Sequence, residues 1–287
     1  MLVARIARPA LTGTVLILLL TGCAATDDPA APEPGGAAGQ LPSAHVHAVA
    51  VDPGDGALLL ATHDGLVEVG EDGRPAAVGP VIDLMGFTVA GPDHYLASGH
   101  PGMRTDLPNP VGLIESTDGG ETWVPLSRAG ESDFHALTAL PGGGSLGYDG
   151  VLRRTADGSS WAQLGIPAEP HTLAAAPDGG AVLATTAQGL LRSDDAGSSW
   201  VPVGAAPLLQ VVAFADPATA VGVDPAGTVW TSADAGGSWQ QVAQLDAAPQ
   251  AVAARVEGGD VRIVVATEDA VLDSVDGGRS FTTVLGG

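Results

Sequence analysis

The chain has 287 residues, 45% of them hydrophobic, and carries a formal net charge of −22. It contains no lysine, and its eleven basic residues are all arginine. Without a basic stripe it is excluded from the nucleic-acid binders, whose affinity comes from neutralising phosphates, and from proteins drawn electrostatically to anionic lipid. Forty-one glycines and 22 prolines suit an all-β chain with many turns, and a propeller or barrel of this length runs as a single domain.

The first predicted element is a signal and not part of the fold. Arg5 and Arg8 precede an apolar run from Leu11 to Leu20, too short for a comfortable membrane span. Leu20-Thr21-Gly22-Cys23 follows directly and holds the sole cysteine. This tetrapeptide resembles the lipobox of bacterial lipoproteins. The resemblance implies cleavage of residues 1–22, lipid on Cys23, the membrane as a partner through that anchor, and an extracytoplasmic location. Loss of Arg5 and Arg8 takes the net charge from −22 to −24. Residues 23–42 are rich in Ala, Pro, Gly and Asp without periodicity, and read as a disordered tether. The folded domain is expected over 43–287.

Within that domain one pattern recurs. Ser116-Thr117-Asp118-Gly119-Gly120-Glu121-Thr122-Trp123 is followed by a shortened copy ending at Trp161, then by copies ending at Trp200, Trp239 and Phe281. The aromatic positions are 38, 39, 39 and 42 residues apart, a period of the kind that marks a radial repeat. Each repeat holds four short strand-like runs. In one they are His171 to Ala175, Ala181 to Thr185, Gly189 to Arg192 and Trp200 to Val203. Counting back from Trp123, a further unit fits at 45–80, with Glu71-Asp72-Gly73 as a degenerate copy of the turn. The expectation is an all-β, six-bladed β-propeller of four-stranded antiparallel blades at 45–80, 81–128, 132–167, 170–207, 209–247 and 249–285.

The repeated segment resembles the Asp box, or BNR repeat, of sialidase-like propellers. The resemblance implies that each Asp accepts turn N–H groups, that each aromatic packs between neighbouring sheets, and that the box lies on the outer turn between third and fourth strands. The stretches His45-Val46-His47, Thr62-His63-Asp64-Gly65-Leu66, Met85-Gly86-Phe87, Ser98-Gly99-His100-Pro101-Gly102, Gly112-Leu113-Ile114 and Asp133-Phe134-His135 are similar to bacterial Asp-box propeller lipoproteins labelled glycosylhydrolase or exo-alpha-sialidase, which implies that label for the group but no catalytic residue.

In a propeller, the start of each first strand and the loop joining strands two and three open on one face. That topology sends His45, His47, Asp83, Asp133, His135 and His171 to the mouth from blade starts. It sends His63, Asp64, His100, Tyr148 and Asp149 there from loops. Of the seven histidines, His94 alone falls elsewhere. The expected ligand site is therefore His45, His47, His63, Asp64, Asp83, His100, Asp133, His135, Tyr148 and Asp149. His45 and His47 are two apart on a strand and share a side. With His63, His100 or His135 as a third ligand they make a candidate site for a divalent metal such as zinc, which takes N and O donors where no thiolate exists. The alternative for each imidazole is a hydrogen bond to a turn or to channel water. The longest loop at the mouth, Gly99 to Val111, carries Arg104, Asp106 and Asn109.

The function expected is a cell-surface binding or scaffolding module that takes a small molecule, glycan or protein at the mouth. The alternative is a glycoside hydrolase using mouth carboxylates. Sialidase chemistry is not expected. It needs an arginine triad and a tyrosine nucleophile, whereas Arg104 is the principal mouth arginine and Tyr95 and Tyr148 are the only tyrosines. A third reading, an assembly factor docking through basic surface, is disfavoured by the charge.

Overall fold

A computed structural model describes residues 39–42, 44–70 and 72–287. Among the described residues there is no helix. The strands form six sheets, each a meander in which consecutive strands pair antiparallel. The first strands are Val46–Val51, Ile82–Gly91, Ala136–Leu140, Pro170–Ala175, Val211–Phe214 and Pro249–Glu257. They stand side by side around a central channel, and the ring closes where Pro249–Glu257 of blade six meets Val46–Val51 of blade one. The architecture is the six-bladed, four-stranded propeller expected from the spacing.

The core is divided among the blade interfaces. Leu59, Leu66, Ile82 and Ile114 fill the space between blades one and two. Leu183, Leu190, Leu209 and Phe214 do the same between blades four and five. Second strands are buried on both faces, as Leu58–Thr62 and Val182–Thr186 show, so their sequences lack polar alternation. The repeated aromatics seal these interfaces from the outer edge: Trp123 packs between blades one and two, Trp200 between three and four, and Trp239 between four and five.

The repeated turn is held by one set of hydrogen bonds. In blade four the Gly197 N–H donates to Ser193 Oγ at 2.8 Å, and the Ser199 N–H donates to Asp195 Oδ1 at 2.7 Å. Blades five and six repeat it with Ser232 and Asp234, and with Ser274 and Asp276. Hydroxyl and backbone donors around each carboxylate hold Asp195, Asp234 and Asp276 down to about 2. Arginines tie the turns of blades four and five to the blade before. Arg154 Nη1 donates to the Ala196 carbonyl, and Arg192 Nη1 to the Asp234 and Ala235 carbonyls.

The N-terminal boundary differs from the expected one. Gly39–Gln40, read from sequence as tether, pairs parallel with Thr282–Gly286 as a fifth strand of blade six. The Leu41 N–H adds a bond of 3.0 Å to the Gly286 carbonyl. The outer strand of a blade leaves N–H and C=O groups unpaired, and a passing extended segment satisfies them. Gly39 is required there by space, since a Cβ would stand 2.0 Å from the Gly73 carbonyl oxygen of blade one. Cys23 and the lipobox lie outside the described residues.

Candidate functional site

The channel mouth is built from one repeated irregularity. Near the start of four first strands a buried residue, Val46, Leu84, Pro170 or Pro249, is followed by a break in register. The extra residue at each break is His47, Met85, His171 or Gln250. A bulge of this kind leaves one residue outside the ladder and re-aims its side chain. In blade three His135 holds the same place after buried Phe134. His47, Met85, His135, His171 and Gln250 thereby line a cavity of about 320 Å³, at the lower end of the range for small-ligand sites.

Two histidine clusters stand at this mouth. In the first, His47 Nε2 lies 3.3 Å from His63 Nδ1 and 3.9 Å from Asp83 Oδ1, and His63 Nδ1 lies 2.8 Å from the same carboxylate oxygen. His47 comes from the blade-one bulge. His63 comes from the two-residue turn between Leu58–Thr62 and Gly65–Val69, and Asp83 from the start of blade two. The turn is fixed by Thr62 Oγ1, which donates to the Gly65 carbonyl and accepts the Asp64 N–H. Burial, and then the neighbouring His63 and His45, push the His47 imidazole down to about 4, against an opposing pull from Asp83. His47 is therefore neutral at physiological pH. His45 stands beside it, with ring centroids 4.8 Å apart, and accepts a hydrogen bond at Nδ1 from Gln250 Nε2 at 3.0 Å.

In the second cluster Asp133 Oδ2 is shared by His100 Nε2 at 3.2 Å and His135 Nε2 at 2.8 Å. His100 Nδ1 is bonded to Asn109 Oδ1 at 2.8 Å, which ties together the two ends of the long Gly99–Val111 loop. Asp133 Oδ1 is buried without a hydrogen-bond partner.

The five histidines read as metal ligands are thus divided. Among the described residues, the three-donor group close enough for one ion is His47, His63 and Asp83, a set that combines two of those histidines with a carboxylate. His45 is turned to Gln250, while His100 and His135 belong to Asp133. Tyr148 and Asp149 take structural places. Tyr148 packs against the core between blades three and four. Asp149, almost wholly buried, accepts both oxygens' worth of bonds from Arg153 Nε at 3.0 and 2.9 Å and a further one from Ser132 Oγ. Asp64 is exposed in its turn. Sequence reasoning left Gln250 out of the expected ligand site, and its register break brings it onto His45. It missed Asp52 altogether, a buried carboxylate beyond the end of the first inner strand.

No protein-family model matches the chain, and no curated protein matches it in sequence. Superposition on the solved structure of YCF48 bound to D1 peptide gives a TM-score of 0.54 at 18% identity, over 85% of this chain and 83% of that one. The fold is similar to that of YCF48. At this identity the likeness to YCF48 extends to the propeller fold alone.

Proposed function

We propose that this chain is a lipid-anchored, extracytoplasmic binding module of the Asp-box propeller group, and that its channel mouth holds a small polar ligand. The observation that carries this reading is the convergence of His47, His135, His171 and Gln250 on one cavity of about 320 Å³. Imidazole and amide groups supply donors and acceptors at neutral pH without a fixed charge, and Met85 and Phe87 add apolar wall. The Ser-x-Asp hydrogen bonds and the aromatic packing support the Asp-box assignment.

The glycosidase reading draws little support from the mouth. Asp83 is bonded to His63, Asp133 to two histidines and Asp149 to Arg153. Each of these carboxylates is thus already engaged by a histidine or an arginine of the protein. Arg153, Arg192, Arg255 and Arg262 are taken by carboxylates or backbone carbonyls, which counts against an arginine triad.

Thermal unfolding of the purified protein against a panel of monosaccharides and small carboxylates tests the proposal. A ligand at about 100 times its dissociation constant adds about 2.7 kcal/mol, a readily measured rise in midpoint. The rise should vanish in His135→Ala and His171→Phe, which alter the cavity wall. If no member shifts the wild type, or if both variants respond like the wild type, the mouth is not the ligand site.

Cys23 would carry the lipid. Cys23→Ser is expected to move the protein from membrane to soluble fractions or to leave it unprocessed. A Cys23→Ser protein that still fractionates as a lipidated species would remove the anchor from this proposal.

A further inference from the structure

The geometry points to a mononuclear metal centre at the mouth, in which His47 Nε2, His63 Nδ1 and Asp83 Oδ1 hold a divalent first-row transition ion of the zinc class. The inference deepens the ligand-site reading and rests on it. The three donor atoms are 3.3, 2.8 and 3.9 Å apart, and a triangle with these sides has a circumscribed radius of about 2.0 Å. One point therefore lies within reach of all three at the distances zinc takes from imidazole nitrogen and carboxylate oxygen, about 2.0–2.2 Å.

Hydrogen bonding alone accounts poorly for this arrangement. A neutral imidazole carries one ring proton. If His63 Nδ1 uses its proton on Asp83, it has nothing to accept with toward His47, and His47 Nε2 is left 3.9 Å from the carboxylate, beyond hydrogen-bond reach. In either tautomer of His63, Nδ1 can make only one of its contacts with His47 and Asp83 as a hydrogen bond. A cation within reach of the three donor atoms satisfies all of them.

The supporting frame is rigid. His47 sits on a bulge, Asp83 on a strand and His63 in a turn closed by Thr62. The donor set, two histidines and one carboxylate, is that of metal sites which keep coordination positions open, in contrast to closed four-ligand structural sites. His47 also lines the cavity, so an ion on its Nε2 sits at the cavity's rim. The free positions would take an oxygen or nitrogen donor from the ligand held in the mouth. The net charge of −22 raises the local concentration of cations around the site.

The test uses untagged protein freed of metal by chelator and dialysis. Calorimetric titration with zinc at pH 7 should show one site per chain, and cobalt(II) should give the visible absorption of a four- or five-coordinate ion. His63→Ala and Asp83→Asn should each weaken zinc binding by about 100-fold or more. His94→Ala, in the hairpin between the first two strands of blade two and outside the mouth, should bind zinc as the wild type does. His63 lies in an exposed turn, and circular dichroism with the melting midpoint establishes that its variant is folded. Absence of saturable one-to-one binding, or binding that persists in both His63→Ala and Asp83→Asn, would overturn the metal centre. If zinc fails while an organic member of the ligand panel still stabilises the wild type and not His135→Ala, the metal falls and the mouth remains a ligand site.

Discussion

Replacing Asp52 by alanine is expected to cost about 3–5 kcal/mol of stability, the range for stripping a partner from buried charged networks. Asp52 is 1% exposed. Its Oδ1 accepts the Gly54 N–H at 2.6 Å, and its Oδ2 accepts the Asp93 N–H and the Tyr95 hydroxyl, both at 2.9 Å. Its own carbonyl accepts from Arg255 Nη1 at 2.6 Å. One residue of blade one therefore binds a turn of its own blade, the first hairpin of blade two and the inner strand of blade six. Burial, and then the bond to Asp52, push the Tyr95 phenol well above its ordinary pKa, so it stays a donor. Alanine leaves three donors facing no acceptor. Asparagine keeps the shape but turns an amide N–H toward a donor, and should recover only part of the loss. Tyr95→Phe removes one bond and should cost about 1 kcal/mol. Chemical denaturation of the three variants checks the order. A loss below about 1 kcal/mol for Asp52→Ala would mean that water replaces the carboxylate and that the hub is unimportant.

Phe134→Ala should be of similar size, about 3–5 kcal/mol, and lower the melting midpoint by roughly 10 °C for a domain of this length. The side chain is fully buried between blades two and three, against Leu96, Leu113 and Leu137, with its ring stacked on Trp161 at 5.0 Å. Its neighbour Gly147 has no room for change, since a Cβ there would sit 2.6 Å from the ring. The pocket walls are strands and cannot collapse onto the void, which places the cost toward the upper end of cavity-forming substitutions. Phe134 also lies between Asp133 and His135. Its N–H donates to Ser98 Oγ at 2.9 Å, so the same residue that fills the interface sets the position of the second histidine cluster. Calorimetry together with the imidazole resonances of His100 and His135 would show both effects. An unchanged midpoint would contradict the packing described.

The fold was legible because its signals are local and repeated. An aromatic residue every 38–42 positions, after a Ser-x-Asp-x-Gly turn, leaves room for four short strands and little else. Even the degenerate copy in blade one could be placed by counting, and there Asp72 supports the turn by accepting the Arg74 N–H. The site was legible in part. Topology alone sends His47, His63 and Asp83 to one face. Which of them meet depends on register breaks such as that between Val46 and Ala48, and a one-residue bulge leaves no mark in composition. Tyr148 and Asp149 show the converse. Their loop is where topology puts it, but Arg153 and Ser132 claim the carboxylate and the interblade core claims the ring. Asp52 was invisible because it precedes Pro53 and Gly54 and so reads as an ordinary turn residue. Its partners at Tyr95 and Arg255 are far away in the chain.

The pairing of Gly39 and Gln40 with Leu285 and Gly286 has a mechanical consequence. Tension applied through the chain ahead of Gly39 does not reach the six sheets directly. It arrives first at a two-residue parallel strand on the outer edge of blade six, one of the shortest pairings in the protein. Short edge pairings open at low free energy without global unfolding. The strand therefore works as a fuse: a pull from outside peels it away and lengthens the lead by a few residues, while the interfaces that shape the channel mouth stay closed.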